Sequence, residues 1–424
     1  ILNDSAQNYS ALPLVCNKIP ARLVYYMQKM NTYIYLDYAA ATPVDDRVLA
    51  AMQPYWQQHF YNPSANYLPA KQVTKDLHDA RSKVAHWLGA RPNEIIFTAG
   101  GTEANNLAIH GIMQQFPEGN IVVSAVEHEA ILAPAQQYDC RVVGVLPDGT
   151  VDLLQLAGQI DENTVLVSIM YANNEVGTLQ PLKDVARTIE QQRKHRGVSG
   201  MPIYFHTDAC QAGNYLDLHV ARLGVDMLTL NGGKVYGPKQ SGALFISSRV
   251  QLVPEILGGG QERNLRSSTE NVAQSIGLAT ALDYAQQQRH TEAHRVEVLQ
   301  KQFMHELTTL FPEVIMNGSI KRRLPNNVHV TFPGQDNERL LLQLEQRGIL
   351  AAAGSACSAS NDEPSHVLKA MGISDPSAQS SIRFTLGAAT TQAHITHVIS
   401  ALSDILLLKY VAIFNSYGNA TSGP

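Results

Sequence analysis

Residues Asn231 to Phe245 read NGGKVYGPKQSGALF, a lysine directly behind two glycines, followed by a turn and then an apolar run. The run VDMLTL, residues 225–230, leads into it, so Lys234 stands at the end of a short hydrophobic segment. Lysines beside glycines in loops ordinarily mark solvated turns. A lysine that must form a Schiff base gains instead from a tight backbone and a partly desolvated pocket that lowers its pKa. The stretch alone leaves both readings open, and the rest of the chain has to decide between them.

Outward from this stretch, helical and strand-like segments alternate between about residues 72 and 290. KQVTKDLHDARSKVAHWLGA (71–90) has helical periodicity, and EIIFTAGGTEANNLAIHGIM (94–113) reads as strand, glycine turn and helix. NIVVSAV, TVLVSIMYANN, IYFHTDACQ, VDMLTL and GALFISS are short apolar runs bounded by turn residues. Their hydrophobicity is continuous rather than alternating, which predicts strands covered on both faces and an α/β architecture with a mainly parallel sheet. After GGGQERNLRSST (258–269) comes a long helical stretch, 271–310, and then NNVHVTF, ERLLLQLEQRG and SSIRFTL, which suggest a small α+β domain. The expected division is a large domain over 46–289, a small one from 30–45 with 290–415, and a tail at 416–424. Residues 1–29 look unlike the rest and are expected to be an extension, of vector or upstream origin or a targeting segment, outside the fold.

Bulk properties narrow the function. The 424 residues are 45% hydrophobic and 16% charged, ordinary for a globular protein with a substantial core. With 32 basic against 37 acidic residues and no basic stripe, nucleic acid is not the expected ligand. The segment ILLLKYVAIF (405–414) is interrupted by Lys409 and falls far short of a bilayer span, so it reads as a buried or docking helix. Four widely spaced cysteines, Cys16, Cys140, Cys210 and Cys357, offer neither a disulfide framework nor a metal pattern, which favours a reducing, cytoplasmic setting and no metal.

In open parallel sheets ligands sit beyond the carboxyl ends of the strands. Reading the residues there gives a set. EIIFT is followed by Ala99, Gly100, Gly101 and Thr102 and then a helix, whose N-terminus could receive a phosphate, although a plain tight turn would look the same. After IVVSAV come Glu127 and His128, a histidine that could cover an aromatic ring, act as acid and base, or merely belong to a loop. Asn173 and Asn174 follow the next run. Asp208 and Gln211 end another, and a carboxylate at the end of an apolar strand must be paired, with a pyridinium nitrogen or with a structural arginine. Together with Lys234 these match what pyridoxal phosphate requires: an imine anchor, an electron sink and a fixed phosphate.

The segments LDYAAATP, NPSANY, FTAGGTEANNLAI, EHEAIL, ANNEVGTLQP, HTDACQ, GKVYGPK, GGGQERNLRSST and GSACSASNDEPSHVL, in this order, resemble the NifS/IscS cysteine desulfurases, fold type I enzymes of the class V aminotransferase group. The resemblance runs from about Tyr35 to residue 387. It implies a pyridoxal phosphate enzyme that converts L-cysteine to L-alanine and leaves the sulfur as a persulfide on Cys357, for iron–sulfur cluster or thiolation pathways. Lys234 would hold the cofactor and move protons, Asp208 would keep the ring nitrogen protonated, and His128 would stack on the ring. Gly101 and Thr102 would meet the phosphate, Gln211 and Asn174 the ring hydroxyl or substrate carboxylate, and Arg383 would clamp that carboxylate. Thr269 resembles the threonine that reaches the phosphate from a neighbouring subunit, which implies a homodimer. The loop around Cys357 is as long as in the mobile-loop subgroup, which implies delivery of sulfur to an acceptor protein.

Four positions depart from the family pattern. Asn231 and Gly233 stand where serine and histidine usually help hold the phosphate, with Asn231 able to donate one hydrogen bond. Ser268 replaces a glycine and Tyr67 a histidine. Weaker cofactor binding is the expected consequence. Competing readings are a selenocysteine lyase or another lyase or transaminase on the same scaffold, against which Cys357 and its flanks argue, and a non-catalytic scaffold.

Overall fold

A computed structural model describes residues 33–197, 200–354 and 364–418. Cys357, residues 1–29 and the last six residues of the tail lie outside them. The strands are β1 (Ile34–Tyr35), β2 (Ile95–Thr98), β3 (Asn120–Ser124), β4 (Asp139–Val143), β5 (Thr164–Ser168), β6 (Tyr204–Asp208), β7 (Met227–Asn231), β8 (Gly242–Ile246), β9 (Ile315–Met316), β10 (Asn327–Thr331), β11 (Ile349–Leu350) and β12 (Ser381–Thr385). Seven of them form the central sheet, in the order β2-β8-β7-β6-β5-β3-β4.

The sheet is mainly parallel, and its exception lies at the lysine. β8 runs antiparallel to both β2 and β7, whereas β3, β4, β5, β6 and β7 pair in parallel. Parallel strands need a long crossover, and residues 232–241 are too few for one, so the chain turns back on itself directly after Lys234. β2, β3, β5, β6 and β7 consequently all end at the same edge of the sheet.

Strand residues alternate between two cores, as the pleat requires. Ile95, Phe97, Val122, Val167, Phe205 and Phe245 enter one, with residues from the helices Leu68–Leu88, Leu182–Arg196 and the start of Val272–Leu310. Ile96, Ile121, Val123, Leu244 and Ile246 enter the other, against Ala104, Leu107, Ala108, Ile112 and Met113 of the helix Gly101–Met113. Both faces are covered, which explains why these strands read as unbroken apolar runs.

A further core lies around the antiparallel sheet β12-β10-β9. The helix Val272–Leu310, 39 residues and so about 58 Å long, contributes Leu278 and Leu282 to the first core and Val296, Phe303 and Leu307 to this one. The N-terminal segment joins it as well: β1 pairs in parallel with β11, and Leu36 is buried there. The segment after Leu36 then crosses to the edge of the central sheet. Sequence periodicity did not find β1, β4, β9 or β11, because two-residue strands carry no period and β4 is an edge strand with exposed positions.

Phe303 is fully buried and packs edge-on against Phe384, ring centroids 5.2 Å apart. Phe303→Ala is expected to cost about 3–5 kcal/mol in denaturant unfolding. Val298→Ala, on the exposed side of the same helix, should stay within about 0.5 kcal/mol of the parent.

Candidate active site

One pocket opens at the shared edge of the strands and is lined by Gly101, Thr102, Asn105, His128, Asn174, Asp208, Gln211, Asn231, Lys234 and Arg383, with Ala39, Ala40 and Cys210 among its other walls. Strand-end geometry and the N-terminal segment bring these together from positions up to 344 residues apart, Ala39 to Arg383. Thr269 does not line it. That residue borders a separate surface cleft formed with Trp56, Phe60 and Tyr61. Cys357 lies outside the described residues.

Each side chain is held for an identifiable reason. Gly100 precedes the helix Gly101–Met113 with φ 149°, a conformation that only glycine adopts readily. Gly101 serves differently, since a Cβ there would meet the Cys210 sulfur at 2.6 Å. The first turn of this helix therefore faces the pocket with free N–H groups. His128 caps the helix Glu129–Ala135, its Nδ1 accepting from the Ala130 N–H at 3.0 Å, which leaves the ring proton on Nε2 when neutral.

Asn173 and Asn174 divide the work. Asn173 is fully buried, accepts from the N–H groups of Glu175 and Val176, and donates to the Val126 carbonyl, so its amide builds the turn. Asn174 is the one that lines the pocket. Its carbonyl accepts from Arg383 Nη1 at 2.9 Å, while Arg383 Nη2 donates to Asp37 Oδ1 at 2.7 Å. The Arg383 Nε–H is buried without a partner among the described residues, so the guanidinium has a further donor to offer.

Lys234 Nζ donates to the carbonyls of Ala39 at 2.9 Å and Ala40 at 2.5 Å, and Gln211 Nε2 donates to Ala39 O at 3.0 Å. The crossing N-terminal segment thus supplies main-chain acceptors to the lysine. Asp208, 7% exposed, receives Asn105 Nδ2 on Oδ2 at 2.7 Å and the Cys210 N–H on Oδ1 at 2.9 Å. The Cys210 thiol also donates to it, and burial with the Asp208 charge pushes that thiol well above the ordinary range. The donors Asn105 and Cys210 are neutral groups. Asn231 uses its Oδ1 to accept from the Gly233 N–H at 3.0 Å, leaving only its amide nitrogen for a ligand.

Several contributors were not visible beforehand. The Ala39 and Ala40 carbonyls carry no side-chain signal. Asn105 could have been found, because it lies four residues after Gly101 on the same helix face. Glu127, directly before His128, accepts from Ser124 Oγ at 2.5 Å and the Met170 N–H at 2.8 Å, and its own carbonyl accepts from His366 Nε2 at 2.9 Å. Burial lifts its carboxyl to about 8.

Residues 34–398 match the family model for class V aminotransferases. A cysteine desulfurase IscS from Dictyoglomus turgidum is 38% identical over 384 residues, 89% of this chain and 95% of that protein. The chain belongs to the class V aminotransferases, among the NifS- and IscS-like cysteine desulfurases. A solved NifS-like protein superimposes with a TM-score of 0.82 at 32% identity, covering 89% of this chain and all of that one. A structure of SspA in complex with cysteine, 34% identical, gives a TM-score of 0.72 over 83% of this chain and 98% of its own. The arrangement is thus the fold type I architecture that the motifs implied.

Glu127 generates a pH prediction. A carboxyl whose folded pKa, about 8, lies above its ordinary value of 4.5 keeps a proton in the native state that the unfolded chain has lost. Stability is therefore expected to fall as pH rises between those two values, by at most about 1.4 kcal/mol per pH unit. Glu127→Gln, which preserves the shape without titrating, should flatten that dependence in chemical unfolding measured from pH 5 to 8.

Proposed function

We propose that the chain uses pyridoxal phosphate to convert L-cysteine to L-alanine, passing the sulfur to Cys357 as a persulfide for iron–sulfur cluster or thiolation pathways. The observation that carries this reading is the convergence in one pocket of the Lys234 amine, the Asp208 carboxylate and the Arg383 guanidinium with its spare N–H. A buried carboxylate that faces a cavity needs a partner there, and a protonated ring nitrogen meets that need. The glycine-lined helix N-terminus suits a phosphate at the other end of such a molecule. The residues present therefore fit the cofactor. When bound, it serves as the electron sink for chemistry at the amino-acid carbons.

The chain's own groups then have definite tasks. Lys234 would hold the cofactor and would be the group to move protons at the substrate carbons; the carbonyls of Ala39 and Ala40 hold its amine at the pocket wall. His128, with Nδ1 occupied by its helix cap, covers the ring and presents Nε2. Arg383, braced by Asp37, takes the substrate carboxylate, and Asn174 and Gln211 orient it or the ring hydroxyl. Cys357 attacks the substrate sulfur: a sulfur–sulfur bond forms, the carbon–sulfur bond breaks, and the carbon takes up a proton to become alanine. Overall, a thiol and L-cysteine become a persulfide and alanine, with atoms and electrons balanced.

A second copy of the chain completes the picture. Trp56, Phe60, Tyr67 and Leu68 are 57%, 64%, 53% and 81% exposed, an aromatic surface that supports homodimer formation. Thr269 borders part of it and would reach the partner's phosphate site. A sulfur-acceptor protein is the further partner. No described helix is long and apolar enough to cross a membrane, and the free thiols of Cys140 and Cys210 support a cytoplasmic location.

The test is release of sulfide and alanine from L-cysteine, with a thiol reductant and added cofactor, by the parent and by Cys357→Ala. Equimolar products that vanish in the variant are expected. Cofactor uptake without products would redirect the search to another amino acid, and failure to take up cofactor would favour a scaffold. A Cβ at Gly233 meets only ordinary contacts at 3.4 Å and beyond, so Asn231→Ser combined with Gly233→His should fold. That pair is expected to tighten cofactor binding about tenfold in an absorbance titration, the effect of one or two added hydrogen bonds to a charged group.

A further inference from the structure

Asn105 is 1% exposed, lines the pocket, and donates through Nδ2 to Asp208 Oδ2 at 2.7 Å. Its own Oδ1 has no hydrogen-bond partner among the described residues. The amide cannot be turned over to relieve this, because its oxygen would then face the carboxylate oxygen at the same short distance. A buried acceptor left without a donor is unfavourable and rare in folded proteins, so the contact with Asp208 is held against a local cost. Nothing else at this position needs an amide: Ala104, Leu107 and Ala108 around it on the helix are packed in the apolar core.

The neighbouring contacts say what the amide accomplishes. Asp208 Oδ1 is already held by the main-chain N–H of Cys210, a donor that belongs to the same turn and moves with it. Asn105 is the long-range restraint, 103 residues away in sequence and on a different element. With a donor on each oxygen and the Cys210 thiol as a third, the carboxylate plane is held against rotation, and the remaining lone pairs have a set direction. Asn105 also follows Gly101 by four residues, so one helix face carries both the anion-binding first turn and this amide. The helix thereby couples the two ends of the cofactor site.

Resting on the cofactor reading above, we propose that Asn105 is a positioning residue that aims the Asp208 carboxylate at the ring nitrogen of bound pyridoxal phosphate and keeps it a hydrogen-bond acceptor there. Donation to a carboxylate favours its anionic form, so the proton between the two groups stays on the ring.

The experiment measures equilibrium binding of pyridoxal 5'-phosphate and of its 1-deaza analogue, in which C–H replaces the ring nitrogen, to cofactor-free full-length protein. The parent, Asn105→Ala and the isosteric Asn105→Asp are compared, with thermal unfolding of each cofactor-free protein as the control for folding. Affinity for pyridoxal phosphate is expected to fall about 10- to 100-fold in both variants. Affinity for the analogue should change less than about twofold, because it offers Asp208 no proton to share. The pH midpoint of the visible absorption of the loaded variants should also move. Equal weakening toward both ligands, or no weakening toward either, overturns the role of Asn105 while leaving the cofactor reading intact. A parent protein that takes up neither ligand overturns the cofactor reading and this inference with it.

Discussion

A sheet buried on both faces leaves its strands accessible only at their ends, and everything at the candidate site follows from that constraint. Ile95 and Phe97 point into one core and Ile96 into the other, so no residue within β2 can meet a ligand. In β6 and β7 it is the last residue, Asp208 and Asn231, that reaches the pocket. Ligand-facing side chains of this sheet stand at strand ends or just beyond them, and the shared strand direction gathers those ends at one edge. Residues as distant as Gly101 and Lys234 become neighbours without any direct sequence relation.

The second constraint comes from the segment that crosses from β1 to that edge. Its Leu36 is buried in the core around β10 and β12, its Asp37 pairs with Arg383, and its Ala39 and Ala40 carbonyls accept from Lys234. Neither core alone would make a complete pocket. A shift of the long helix Val272–Leu310, which packs in both, would move the guanidinium relative to the amine, and the 39-residue length of that helix resists such a shift. Tyr38 adds to the lock, since its ring lies where a side chain at Gly387 would have to go, 2.3 Å from a Cβ there.

Electrostatics divide the pocket into two kinds of group. Asp208 is buried but faces the cavity and is held by the neutral donors of Asn105 and Cys210. Glu127 is buried behind His128, accepts two hydrogen bonds on one oxygen and is proton-bearing over the ordinary pH range. The departures at Asn231 and Gly233 fall at the phosphate end, where Asn231 spends its oxygen on the turn and retains its amide nitrogen.

Much of this was legible in the chain itself. Continuous apolar runs determined a sheet covered on both faces, and the residues just beyond them determined most of the pocket wall, because a strand end is a local event that turn residues mark. The order of motifs from LDYAAATP to GSACSASNDEPSHVL determined the family. Tertiary structure alone decided that β8 turns back antiparallel after Lys234, that Asn174 rather than Asn173 lines the pocket, and that Thr269 belongs to a separate surface. It alone revealed the Ala39 and Ala40 carbonyls and the hold of Asn105 on Asp208. The physical reason is common to all of these: main-chain acceptors have no residue identity, and a hydrogen bond spanning 103 residues depends on how two elements pack rather than on any period or motif within either.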